Sequence, residues 1–128
     1  MLHDENKVTT NIIDKGSDVI ATARKTSKTI DKTLTGAYEI IFKSNKNYVG
    51  KGGFDRAIRS AIEHAKPNKL NGHIADEVVS IMWKAADTPQ QAFIEEFALQ
   101  SIRGVANADT YNKIWSPGKK LYKIFYGS

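Results

Sequence analysis

The stretch Gly36–Gly53, "GAYEIIFKSNKNYVGKGG", decides how the rest of the chain is read. "AYEIIFK" and "NYVGK" are rich in β-branched and aromatic residues, the composition of strands. The polar "SNKN" between them is a turn signal. The spacing therefore predicts a β-hairpin that carries one tyrosine on each strand, Tyr38 and Tyr48, and runs into the Gly-rich corner at Gly50, Gly52 and Gly53.

Beyond that corner, "GFDRAIRSAIEHA" places Phe54, Ala57, Ile58, Ala61, Ile62 and Ala65 on one helical stripe, with Arg56, Arg59, Ser60 and Glu63 off it. Pro67 follows the expected end of this helix. "KPNKLNGHIADE" reads as a loop, and "VVSIMWKAA" as a strand on its β-branched and aromatic content. Thr88 as N-cap and Pro89 at the first helical position open a helix that runs to about Ile102, with Gly104 as its stop. "NKIWSPGKK" reads as a loop and the final "LYKIFY" as a short strand. Before the hairpin, residues 1–35 are polar, with sparse apolar residues at loosely helical spacing. They read as an N-terminal extension or linker holding one or two weak helices around residues 10–32. The fold class is α+β: a small antiparallel sheet of about three strands flanked by helices.

Composition narrows the function. The 128 residues accommodate one modest core, and a hydrophobic share of 41% is ordinary for a globular domain. Cysteine is absent, which excludes disulfides and thiolate metal sites. "MLHDENKVTT" lacks the apolar core of a signal peptide. The formal net charge is +5, and it is unevenly placed. Lys43 to Lys69 holds seven basic and two acidic residues, and Asn112 to Lys123 holds four lysines and no acid. Both clusters fall within the folded part and point to an anionic partner.

The ordered set Gly36-Ala37-Tyr38, Tyr48-Val49-Gly50, Arg56 on the following helix, an acid within "PQQAFIEEFALQSI" and a late Asn112 resembles the GIY-YIG nuclease superfamily over roughly residues 36–118. The resemblance implies a GIY-YIG-like nuclease domain at 36–128 and metal-dependent hydrolysis of phosphodiester bonds, with DNA as substrate. It implies Tyr38, Tyr48, Arg56, Glu95 and Asn112 as catalytic residues, with Glu95 holding one Mg²⁺ or Mn²⁺. In this pattern the metal polarises the phosphoryl group, the arginine offsets developing charge, and a base or positioned hydroxyl readies the attacking water. Tyr48 is the expected water activator and Tyr38 the positioner. Lys51, Arg59, His64 and Lys119 are expected substrate contacts.

Three of these positions have a competitor. Arg59 competes with Arg56, and Asn107 with Asn112. Glu96 competes with Glu95, which is preferred because it is centred on the apolar stripe, where an acid is costly unless paired or metal-bound. Where many family members carry His or Tyr four residues after the arginine, this chain has Ser60, with His64 one turn on as a substitute base. The bland readings stand beside these: half-buried strand tyrosines, a plain glycine turn, solvated lysines, a surface histidine, and packing roles for Trp83 and Trp115. His3 and His73 have no zinc spacing.

A lone catalytic domain after a polar extension also resembles the C-terminal toxin modules of bacterial polymorphic and contact-dependent inhibition systems. That implies a secreted or delivered effector acting in a target cell's cytoplasm and a cognate immunity protein as partner. The alternatives are an RNA-cleaving toxin, with tRNA among the substrates, and a non-catalytic basic nucleic-acid-binding domain. A shared active site needs both tyrosines on one face of the sheet. A plain four-residue loop would pair Lys43 with Tyr48 and split them across the two faces. The chemistry therefore predicts an odd loop or a bulge that pairs Phe42 with Tyr48.

Overall fold

The computed structural model describes residues 9–13, 18–68 and 73–127. Among these residues eight elements follow in order: β1 (Thr9–Ile13), α1 (Val19–Ser27), β2 (Gly36–Phe42), β3 (Asn47–Gly52), α2 (Phe54–Ala65), β4 (Val78–Ala85), α3 (Pro89–Arg103) and α4 (Gly118–Tyr126). The fold is α+β, an antiparallel sheet with helices around it. The sheet has four strands in the order β1-β4-β2-β3.

The hairpin turns through Lys43–Asn45, closed by Phe42 N–H donating to the Lys46 carbonyl at 3.0 Å. Asn45 takes the left-handed conformation at φ 71°, which asparagine tolerates. The loop is odd, as the chemistry required, but the register differs from the expected one. Ile40, not Phe42, lies opposite Tyr48, and Tyr38 lies opposite Gly50. The shift is by two residues, so side-chain alternation is preserved and Tyr38, Ile40 and Tyr48 share a face.

That face carries the main core. Tyr38, Ile40 and Phe42 pack with Ile81 and Trp83 of β4 beneath α1 and α2. The expected α2 stripe supplies Phe54, Ala57, Ile58 and Ala61, and Phe54 meets the Trp83 ring edge-on at 5.9 Å. Burying such side chains contributes on the order of 2 kcal/mol each. On the opposite face, α3 packs against β2 and β3 and is itself covered by α4. Helix α3 begins as expected: Gln91 N–H donates to the Thr88 hydroxyl at 3.0 Å, with Pro89 in the first turn. It ends at Gly104, φ 75°.

Two expectations are corrected. Residues 9–13, expected to be coil or weak helix, form a strand that pairs in register with β4, from Thr9 opposite Lys84 to Ile13 opposite Ser80. The pairing partner lies about seventy residues away, so no local period reveals it. Among the described residues of the first segment, helix is found in α1, whose first turn is capped by Asp18 accepting from Ile20 N–H at 2.9 Å and whose Val19 and Ala23 are buried. "LYKIFY" is the body of helix α4, not a strand. Its start lies so close to α3 that a side chain at Gly118 would collide with the Phe93 carbonyl. That close packing, rather than β propensity, selects the helix.

Candidate functional site

A cleft of about 610 Å³ opens at the β3 edge of the sheet, where β3 meets α2 along its length from Arg56 to His64, the middle of α3 and the segment 111–117. Glycines make room for its two principal side chains. The Tyr38 ring crosses over Gly50, where a Cβ would overlap the ring's phenolic end. The Arg56 side chain lies against Gly52, whose φ of 148° also favours glycine. The Gly-rich corner thus lets a tyrosine and an arginine reach one place.

On the α2 side of the cleft, the Tyr38 hydroxyl and Ser60 Oγ share a hydrogen bond of 2.6 Å. The residue found where the resembled family often has His or Tyr therefore holds the first tyrosine. Tyr48 stacks on His64, ring centroids 3.8 Å apart and planes 23° from parallel. Its hydroxyl has no hydrogen-bond partner among the described residues. Burial raises both phenols above the usual tyrosine value of 10.0; Ser60 and Arg56 oppose the rise at Tyr38, and Arg56 opposes it at Tyr48. Both tyrosines are neutral hydroxyls near pH 7. His64 Nδ1 lies 2.9 Å from the Ser60 carbonyl, an acceptor only, so the proton sits on Nδ1 and Nε2 keeps its lone pair. Burial lowers the His64 pKa, which favours that neutral form.

From the α3 side, Glu96 lines the cleft. Burial raises its pKa, while the Ser116 hydroxyl and the charges of Lys51 and Arg56 act the other way. Lys51 reaches the cleft along the Phe93 ring, its ammonium 4.5 Å from the centroid. The wall opposite β3 is tied down by Asn112. Its Oδ1 accepts from Val49 N–H at 2.7 Å and its Nδ2 donates to the Val49 carbonyl at 2.8 Å, both buried.

Of the residues singled out from sequence, Tyr38, Tyr48, Lys51, Arg56, His64 and Asn112 border this one cleft. Glu95, Arg59 and Lys119 do not. Glu95 faces the sheet as its place on the apolar stripe implied, but its neighbour is Lys84, Nζ to Oε1 3.5 Å, and its other oxygen is buried without a hydrogen bond. The cost of placing an acid there is met in part by a lysine on β4, which lies on the same sheet face because it sits opposite Ala37. Arg59 is exposed beside Asp55, whose pKa it helps to lower. Lys119 lies over the Trp115 ring at 4.8 Å, on α4. Asn107 is spent on its own turn, donating to the Arg103 carbonyl at 2.8 Å and accepting from Asp109 N–H at 2.8 Å. Tyr111 and Lys113 also line the cleft. Tyr111 carried no local signal, and Lys113 was visible only as part of a basic cluster.

Among the described residues no three His, Asp or Glu side chains converge on a common point. An ion in this cleft would take one carboxylate from the chain and water for the rest, and Glu96 is the carboxylate placed to give it. Such a site suits a hard divalent cation that keeps its water. No helix among the described residues is long and apolar enough to cross a membrane. No protein-family model matches the chain, and comparison with curated proteins and with solved structures finds no match.

Proposed function

We propose that the cleft hydrolyses phosphodiester bonds of nucleic acid, with Glu96 rather than Glu95 as the metal-binding acid. One observation carries the reading: Tyr38, Tyr48, Arg56, His64 and Glu96 come from four elements, β2, β3, α2 and α3, and from both sheet faces, yet border a single cleft. Gly50 and Gly52 leave the room that lets Tyr38 and Arg56 meet at its rim.

Each side chain then has a task. Arg56 and Lys51 bind the phosphate, and Arg56 offsets the charge that grows on its non-bridging oxygens. The Tyr48 hydroxyl, neutral and without a hydrogen-bond partner among the described residues, orients the attacking water. His64 Nε2 accepts the water's proton as the oxygen bonds to phosphorus and the bond to the leaving sugar oxygen breaks. That oxygen takes its proton from solvent. Tyr38, fixed by Ser60, donates a hydrogen bond to the phosphate. Asn112 fixes the strand that carries Tyr48. Glu96 would hold a Mg²⁺ or Mn²⁺ ion, which when bound would supply Lewis-acid polarisation of the phosphate.

Incubation with plasmid DNA and with total RNA, each with Mg²⁺ or with a chelator, tests this. Degradation of either polymer that stops with chelator is expected. Intact DNA and RNA under all conditions, with binding retained, would leave the chain as a binding domain only. The toxin role implied by the resemblance belongs to the same proposal: expression in bacterial cytoplasm should arrest growth, and Glu96→Gln should relieve the arrest.

A further inference from the structure

The cleft does not end at His64. A second depression, of about 940 Å³, opens beyond it and shares His64, Tyr111, Asn112 and Lys113 with the first. A row of rings runs through both. Tyr38 and Tyr48 are 6.5 Å apart by centroid, Tyr48 stacks on His64, His64 is 6.3 Å from Tyr111, and Tyr111 meets His73 edge-on at 4.7 Å.

Cations follow the row. Lys51 and Arg56 flank the first depression, Lys113 borders both, and Lys46 and Lys66 flank the second. Lys46 Nζ stands 5.0 Å from the Tyr111 centroid. The acid on the described wall of the second depression is Glu63, which is paired with Lys66 at 3.6 Å. Tyr111 is held in the row by donating its hydroxyl to Asp76 Oδ2 at 2.5 Å. That carboxylate also accepts from Ser44 Oγ at 2.5 Å.

In a duplex the base faces are hidden within the stack, so a row of rings would meet only base edges, sugar and phosphate and could not stack. An unpaired strand offers both base faces to the part-exposed rings of the row, Tyr48, His64, Tyr111 and His73, and a regular series of phosphates to the cations. We infer that the two depressions form one track for an unpaired nucleic-acid strand. The scissile phosphate lies at the Arg56 end, and the flanking nucleotides run over Tyr111 toward His73. This deepens the hydrolase reading and rests on it for the position of the scissile phosphate.

The test uses the intact protein with labelled single strands of about 3 and about 12 nucleotides, as DNA and as RNA, and with a duplex of the longer sequence. Affinity and kcat/KM are measured for each, alongside a Lys46→Ala/Lys66→Ala double variant. We expect the longer single strand to be preferred over both the short one and the duplex by about tenfold or more. The double variant should erase most of the gain with length and flatten the salt dependence of binding. A duplex used as well as the single strand overturns the track, as does a length gain that survives the double variant. If the longer single strand binds best but nothing is cleaved with any divalent ion, the track stands and the hydrolase reading falls. If cleavage is confined to duplex, the track falls and the hydrolase reading stands.

Discussion

Gly50 stands directly opposite Tyr38 in the β2–β3 pairing, and the Tyr38 ring fills the space that any larger residue at Gly50 would need. Tyr38 is 1% exposed and cannot swing outward without emptying the core. Gly50→Ala is therefore expected to overpack this point, destabilise the fold by about 1–3 kcal/mol and loosen the hydroxyl from Ser60. Urea denaturation reads the first effect. A variant as stable as the parent would show that the ring yields freely.

The two adjacent acids should behave differently. Glu96→Gln is expected to abolish divalent-dependent cleavage with nucleic-acid affinity nearly intact. Glu95→Gln should keep activity and change stability little, because its partner Lys84 is 46% exposed and solvent screens the pair. Metal titration of the cleavage rate for both variants checks this. Full activity in Glu96→Gln with loss in Glu95→Gln would restore the assignment made from the apolar stripe.

Arg56 and Arg59 lie one turn apart on α2, but only Arg56 borders the cleft. Arg56→Ala is expected to lower single-turnover rates about a hundredfold or more, the scale of losing a charge partner in the transition state. Arg59→Ala should leave the chemical step unchanged. The reverse pattern would exchange their roles.

The hairpin, α2, β4 and α3 were legible because their signals are local: alternation, a helical stripe, a Thr-Pro start and a glycine stop. β1 was not, since its register is set wholly by β4 and only tertiary pairing makes "TTNII" a strand. "LYKIFY" misled for a related reason: its tyrosines and isoleucine favour a strand, while contact with α3 favours a helix. In the site, Tyr38, Tyr48, Lys51, Arg56 and His64 on regular elements and Asn112 on a loop border one cleft, whereas Arg59 and Glu95, read from the same helical periods, do not. The preference for Glu95 over Glu96 rested on a helical wheel, which shows which acid faces the sheet. It does not show that a lysine on β4 faces it too. Tyr111 was invisible because a loop residue has no period to betray its neighbours.

Acidification probes His64. Burial holds its imidazole below the usual histidine value of 6.5, so the folded state prefers the neutral ring. As pH falls below about 6.5, the unfolded chain takes up this proton first, so stability declines until the pH has passed the folded value. Unfolding free energy followed from about pH 7.5 to about pH 5.5 should fall in the parent, and more shallowly in His64→Gln. Parallel slopes would place the titration elsewhere.

Asn112→Ala removes both bonds to Val49 and leaves a buried N–H and a buried carbonyl unpaired, at a cost of about 2 kcal/mol or more. Asn112→Asp keeps the acceptor but sets an oxygen against the Val49 carbonyl, so it should rescue little. Thermal unfolding of the two variants compares them, and a fully stable Asn112→Ala would mean that water replaces the side chain without loss.

That brace has another consequence. Val49 N–H and carbonyl are taken by Asn112, Asn47 N–H donates to the Asp109 carbonyl at 3.2 Å, and the Asn47 carbonyl accepts from Tyr111 N–H at 2.7 Å. The chain that walls the cleft thus also covers the Asn47–Val49 part of the outer rim of β3, where open backbone groups would otherwise invite a strand from another molecule. Protection from edge-to-edge aggregation and the shape of the cleft are one and the same contact. Any change that loosens the wall to admit a larger ligand would also expose an unpaired strand to self-association.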